Sequence, residues 1–123
     1  NVAFAIDENQ VTQFSHAAVG STQTASISGN TTLDFQTYQN FVLTFTGNVT
    51  LDNPTTEAVG QSGFIFAIQD GTGSRTLALG TDYETVGGAG LTISTTAAAV
   101  DLIPYVVKAS GSIQLGTAQL AFA

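Results

Sequence analysis

Few side chains in this 123-residue sequence can move a proton or hold a metal: one His, nine Asp plus Glu, and no Cys. His16 is the only imidazole, so any Ser-His-Asp relay has to use it. It sits in Phe14-Ser15-His16-Ala17-Ala18, and no Ser is flanked by nucleophile-elbow glycines. It therefore reads as a surface or interface histidine. A lone imidazole and the absence of thiols also leave no cluster of soft metal ligands, so no metal and no cofactor is expected. Asp82 and Glu84 lie two apart and share a face if that stretch is a strand, and Asp7 adjoins Glu8. Glycoside hydrolysis needs two carboxyls roughly 5 to 9 Å apart across a cleft, at least one of them in an unusual environment. Nothing in the sequence frames such a cleft, so the acids read as solvated faces and turns.

Asp70-Gly71-Thr72-Gly73-Ser74-Arg75 has the small residues of a ligand-cradling loop. It lacks the Lys-Ser/Thr ending of a phosphate loop and the carboxylate spacing of a calcium loop. A four-residue hairpin loop, with Asp70 and Arg75 paired at its base, accounts for every residue in it. Tyr38, Tyr83 and Tyr105, with Phe35 and Phe41, are candidates for an aromatic platform, although aromatics in strands usually serve the core. Asn30-Thr31-Thr32 and Asn48-Val49-Thr50 match the glycosylation acceptor pattern, as expected by chance in a Thr-rich chain. No catalytic residue is assigned.

The elements that carry these residues follow from composition. Only 9% of the residues are charged and the formal net charge is -7, with Arg75 and Lys108 the only permanent cations. Nothing neutralises a run of phosphates, so neither nucleic acid nor an anionic membrane is an expected partner. No apolar stretch approaches the roughly 18 residues of a membrane span, and no leader pattern opens the chain, which reads as soluble and already processed. Instead of charge there are 19 Thr, 9 Ser and 13 Gly. That composition favours strands over helices.

Apolar residues alternate along most of the chain. Val2, Phe4 and Ile6 suggest a short strand, followed by a weakly patterned stretch to Gly29. Phe41, Leu43 and Phe45 share odd parity with Val49 and Leu51, which predicts two strands joined by an odd loop at Thr46 to Asn48. Phe64, Phe66 and Ile68 are even while Leu77 and Leu79 are odd, which predicts a hairpin through Gly71 to Ser74 with Ile68 facing Leu77. Ile103, Tyr105 and Val107 lead through Ala109-Ser110-Gly111 to Ile113 and Leu115, the pattern of a turn plus bulge that pairs Val107 with Ile113. Leu91 and Ile93 suggest another strand, and the parity change at Leu120 and Phe122 a bend after Gly116. The expected fold is all-β: a single antiparallel β-sandwich of jelly-roll type with about eight strands over residues 30-123, preceded over 1-29 by an N-terminal arm or short strands, the weakly patterned part being either a docked arm or an irregular strand ending at Ile27.

Sheet edges are normally blunted by Lys or Pro, and this chain has one Lys and two Pro. A closed homo-oligomer is the expected cover, and a neutral Thr and Gln surface around a monomer is the alternative that composition allows equally.

Gly47-Asn48-Val49-Thr50-Leu51 with Asn53-Pro54-Thr55, then Gly60-Gln61-Ser62-Gly63, then Gln69 to Leu77, and later Ala99-Val100-Asp101 to Tyr105-Val106-Val107 with Ser110, resemble a β-domain of tailed-bacteriophage virion proteins. The resemblance covers roughly Asn30 to Ala123. It implies a structural virion protein, most simply a trimeric capsid decoration (cement) protein made in the host cytoplasm and bound to the major capsid protein on the capsid exterior. The alternative it implies is a tail-fibre or receptor-binding module that recognises host surface glycan. The first 29 residues fall outside the resemblance. As an attachment arm, their candidate capsid-docking or interface side chains are Phe4, Ile6, Val11 and Phe14.

Overall fold

The computed structural model describes residues 14-123. Eight strands follow in order: β1 (Thr22–Thr32), β2 (Asn40–Asp52), β3 (Ser62–Gln69), β4 (Leu77–Leu79), β5 (Tyr83–Glu84), β6 (Val100–Ala109), β7 (Ser112–Leu115) and β8 (Gln119–Phe122). A single 3-10 turn, Val86–Gly88, interrupts them, and no α-helix occurs among the described residues. All the strands belong to one sheet. Its main path is β1-β2-β3-β6-β7-β5, with β4 paired to β2 and β8 to β6.

Over the described residues the fold is thus all-β with eight strands, but it is not an antiparallel jelly-roll sandwich. The sheet is mixed and curls into a half-barrel. β1 with β2, β2 with β3, β2 with β4, and β5 with β7 run parallel; β6 is antiparallel to β3, β7 and β8. The predicted hairpin at Thr46 to Asn48 is instead an irregularity inside one strand: Ile27 faces Phe45 and Gly29 faces Val49, so three residues of β2 oppose one of β1. An uninterrupted strand keeps odd parity as well as an odd loop does. The predicted hairpin through Gly71 to Ser74 is a side loop. β3 and β4 both run parallel to β2, one along Phe41 to Phe45 and the other along Val49 to Leu51. Only the last hairpin matches expectation, with Val107 opposite Ile113, a register shift between Val107 and Ala109, and Gly111 at φ 74°. Leu91 and Ile93 form no strand, although both pack on the core.

The curl has a cause in chain length. β1 spans ten residue steps, about 33 Å if straight. Thr32 must return to Asn40, beside Thr22, through residues 33-39, whose eight steps reach at most about 29 Å fully extended. The return is not extended: the Asp34 carboxylate accepts bonds from the Gln36 and Thr37 amides at 3.0 Å each, and the Tyr38 amide donates to the Asp34 carbonyl. β1 and β2 therefore have to bend, and the irregularity at Gly29 and Val49 is where their pairing shifts.

The returning segment fills the space that the curl creates. Leu33 and Phe35 are buried, and the Phe35 ring lies 5.3 Å from Phe41, 5.1 Å from Tyr105 and 6.5 Å from Tyr83. Around it converge Leu43, Phe45, Val49 and Leu51 of β2, Ile65 of β3, Ile103 and Val107 of β6, and Ile113 and Leu115 of β7. β1 runs across the boundary expected between residues 29 and 30, and residues 22-29 are part of the sheet.

Phe35→Ala is expected to lower unfolding free energy by about 3-5 kcal/mol, because the crossing segment loses its buried aromatic plug. Chemical denaturation, read as a fall in midpoint at constant slope, checks this.

Candidate functional site

β4 and β5 are joined by Gly80, Thr81 and Asp82, and this link ties two parts of the sheet together. The Gly80 amide donates to the Leu51 carbonyl at 2.7 Å, and the Ile113 amide donates to the Asp82 carbonyl at 2.7 Å. A side chain at position 80 would collide with Asn53 and with the Leu51 carbonyl, which is why glycine stands there. Asn53 completes the corner, accepting from the Asp82 amide at 2.9 Å and donating to the Thr81 hydroxyl at 2.9 Å.

Beside this corner lies an open groove of about 600 Å³. Leu77, Leu79 and Leu91 form its apolar wall; Thr81, Glu84 and Thr85 contribute polar groups, and the main chain around Gly88 and Gly90 forms one rim. The Thr85 hydroxyl accepts a bond from the Gly90 amide at 2.8 Å, holding the rim across the Val86–Gly88 turn, where Gly87 and Gly88 have φ of 66° and 67°. Having each accepted one bond, the Thr81 and Thr85 hydroxyls still have an O–H to donate. Glu84 accepts from the Ser112 hydroxyl at 2.5 Å and from the Gln114 amide at 2.6 Å, and Lys108 stands 3.8 Å away. The Ser112 bond first, then Gln114 and Lys108, hold its carboxyl below the usual range. A general acid needs the opposite shift, and Glu84 is the only carboxyl lining the groove among the described residues. The arrangement suits polar recognition better than hydrolysis.

The other residues singled out by sequence are dispersed. His16 is exposed ahead of β1. Asp82 and Glu84 do not face each other across a cleft. Phe35, Phe41, Tyr83 and Tyr105 are core residues, as aromatics in strands usually are, so these four offer no exposed platform. The Tyr83 hydroxyl is buried without a hydrogen-bond partner, and burial, with Glu57 and Asp82 adding negative potential, pushes its pKa up. Phe14 is exposed, while Phe4, Ile6 and Val11 lie outside the described residues. No group of three or more metal-ligating side chains occurs among the described residues.

The Asp70 to Arg75 pair forms as expected. Arg75 Nη2 lies 2.8 Å from Asp70 Oδ2 and Nε 3.2 Å from Oδ1, while the Thr72 and Gly73 amides donate to Oδ1 at 3.1 and 3.0 Å. Sequence reasoning missed Gln69 beside it. Only 3% exposed, it donates through Nε2 to the carbonyls of Arg75 and Ser94 and accepts from the Arg75 amide. These bonds stitch the loop to the segment before β6, and a Gln at the end of an apolar run was the available signal.

Compared with known proteins, the chain matches the family model described as "Putative phage tail fibre C-terminal domain" over residues 19-112. No curated protein and no solved structure matches it. The match spans about three quarters of the chain, so the protein belongs to this family of phage tail-fibre domains and is a structural component of the virion. It supports the tail-fibre expectation rather than capsid decoration.

The Arg75 hydrogen bond is the largest cause that lowers the Asp70 pKa from 3.8 to about 2. A depressed folded-state pKa contributes stability that is complete above the unfolded value and lost as pH falls through the folded one. The stability difference between the native chain and Asp70→Asn is thus expected to be constant above about pH 5, to shrink as the pH falls from there, and to level off only once the pH has passed below about 2. Parallel acid titrations of the two proteins measure it.

Proposed function

We propose that this domain stands at the host-facing end of a tail fibre and adsorbs to glycan on the bacterial surface through the groove between β4 and the Val86–Gly88 turn. The observation that carries the reading is the family match over residues 19-112. The groove supports it chemically. Sugars present hydroxyls around apolar C–H faces, and the site offers Thr81 and Thr85 hydroxyls, exposed main chain near Gly88 and Gly90, the Glu84 carboxylate, and leucine side chains to cover a ring face.

The charge pattern agrees with this reading. With so few cations the domain cannot grip an acidic polymer by counterion release, so specificity has to rest on directional hydrogen bonds and shape. Neutral contacts of this kind are weak singly, and a fibre that presents several copies multiplies them through effective concentration.

Purified chain is expected to bind host envelopes and to compete, in a dose-dependent way, with adsorption of the phage that carries it. Removing surface polysaccharide from the cells should abolish both effects. Ala78→Trp, at an exposed groove position, should weaken binding at least about tenfold, the loss of roughly 1.4 kcal/mol of contact, with melting unchanged. A chain that neither binds envelopes nor competes would sink this reading.

A further inference from the structure

The segment between β5 and β6 separates the groove from a second hollow, and Gly90 and Leu91 line both. On one side lies the groove of about 600 Å³ beside β4; on the other is a pocket of about 260 Å³ bounded by Val86, Thr92, Leu115, Thr117 and Leu120. Leu91 packs on the core. What stands between the two hollows is therefore a single stretch of main chain, about 5 Å across at strand spacing. Thr85 fixes its shape, accepting from the Gly88 amide at 2.9 Å through its carbonyl and from the Gly90 amide at 2.8 Å through its hydroxyl. The glycines of this ridge differ from Gly80 and Gly116, where an added side chain would collide with neighbouring atoms. At Gly87, Gly88 and Gly90 it would meet nothing within 4 Å. The ridge top is bare main chain, open to a flat ligand.

The far pocket is held from the other side. The Gly116 amide donates to the Pro104 carbonyl at 2.8 Å, and a side chain at position 116 would strike the Pro104 ring, so residues 115-118 lie close against β6. Leu115 is buried and Ala118 packs on the core. Left at the surface are Val86, 75% exposed, Leu120, 52% exposed, and the hydroxyls of Thr92 and Thr117. None of the described residues that line the pocket is charged. Of the two permanent cations, Arg75 is bound to Asp70 and Lys108 stands beside Glu84. A carboxylate or phosphate entering here would lose hydration without gaining a counter-charge. A small apolar group gains from the same walls. At 260 Å³ the pocket falls short of the ~300-1,000 Å³ usual for a whole ligand, whereas the groove lies inside that range. The pocket has the size of an annex to the groove.

We infer that groove and pocket are one site, taking an oligosaccharide that crosses the ridge from Gly87 to Leu91 and sets a methyl-bearing group between Val86 and Leu120. The inference rests on the adsorption reading of the groove and specifies what the groove takes. Continuity carries it: a ligand seated against Leu77 and Leu79 has only the ridge at Gly90 and Leu91 to cross. A chain of linked sugars can span that ridge, while a single sugar occupies one side of it. Sugars carry methyl groups at C6 of a 6-deoxyhexose or on an acetyl group, and the methyl is what these walls recognise. Thr92 and Thr117 offer O–H donors to the acetyl carbonyl or to a neighbouring ring hydroxyl.

The probe is polysaccharide released from host envelopes by mild acid, bound to the full chain and followed by calorimetry and by saturation-transfer NMR. In the native chain the strongest transferred signal is expected on methyl protons, and their shift tells acetyl from 6-deoxy. Thr117→Trp, at an exposed position, fills the far pocket. It should suppress that methyl signal and weaken polysaccharide binding by roughly tenfold or more, the scale of a lost apolar contact in a pocket. Melting should not change, and neither should binding of the monosaccharides obtained by complete hydrolysis of the same polymer. Where Thr117→Trp does not fold, Val86→Asp, on the ridge side of the pocket, takes its place with the same expectation. Two results overturn the inference: polysaccharide affinity unchanged in a folded pocket variant, or native binding in which ring protons alone receive saturation. Either leaves the adsorption reading to the separate test by Ala78→Trp. A native chain that binds no polysaccharide overturns both.

Discussion

The short return from β1 to β2 is the constraint on which the rest of the molecule depends. Parallel neighbours are ordinarily joined by a dozen residues or more, commonly a helix that also covers the sheet. Here residues 33-39 do both jobs with Leu33 and Phe35, and the Asp34 turn shortens their reach further. A link this short is compatible with strands as long as β1 and β2 only if they bend. Bending wraps the sheet around Phe35, and the ring's contacts with Phe41, Tyr83 and Tyr105 hold β2, β5 and β6 at fixed distances from one another.

Where β2 bends, its neighbour changes. β3 departs after Gln69, the chain makes the Asp70 to Arg75 excursion, and β4 resumes the same side of β2 at Val49. Departure exposes backbone groups at the break, and buried polar side chains satisfy them. Gln69 serves Arg75 and Ser94, while the buried Asp101 accepts from the Ser94 and Ala121 amides. Each such group costs about 1-3 kcal/mol if left unpaired, so the polar residues facing inward on β3 and β6 are fixed by the loops they hold. The groove is a product of the same break, since β4 pairs only with β2 and leaves its other side toward the Val86–Gly88 turn.

Much of this was legible in the sequence at the level of parity and little at the level of direction. The odd set from Phe41 to Leu51 does face one way, the last hairpin closes through Gly111, and the Asp70 to Arg75 pair forms. Parity cannot distinguish a reversal from a kink, however, because an odd loop and an irregular strand preserve the same face. That ambiguity turned one bent β2 into two strands and parallel neighbours into hairpins. β3 failed for another reason. Its apolar run has no polar face, so its own pattern does not say which set points inward, and cross-strand partners 24 and more residues away decide it. The groove left almost no local signal: its lining comes from a three-residue strand, a two-residue strand and a glycine-rich turn, none of which has enough length for a period to show.

The molecule divides its surface by chemistry. The groove draws on residues 77-91, whereas the outer positions of β3 and β6 from Ser62 to Ile68 and from Val100 to Val106 are free of charge, and Glu84 stands between the two regions, bonded to Gln114 of β7. A binding site made of single hydroxyls and main-chain groups has little affinity alone, while repetition at short spacing raises the effective concentration of each site for the next. On this argument the scarcity of charge that denies the domain a strong electrostatic grip leaves its recognition to directional hydrogen bonds, shape and repetition.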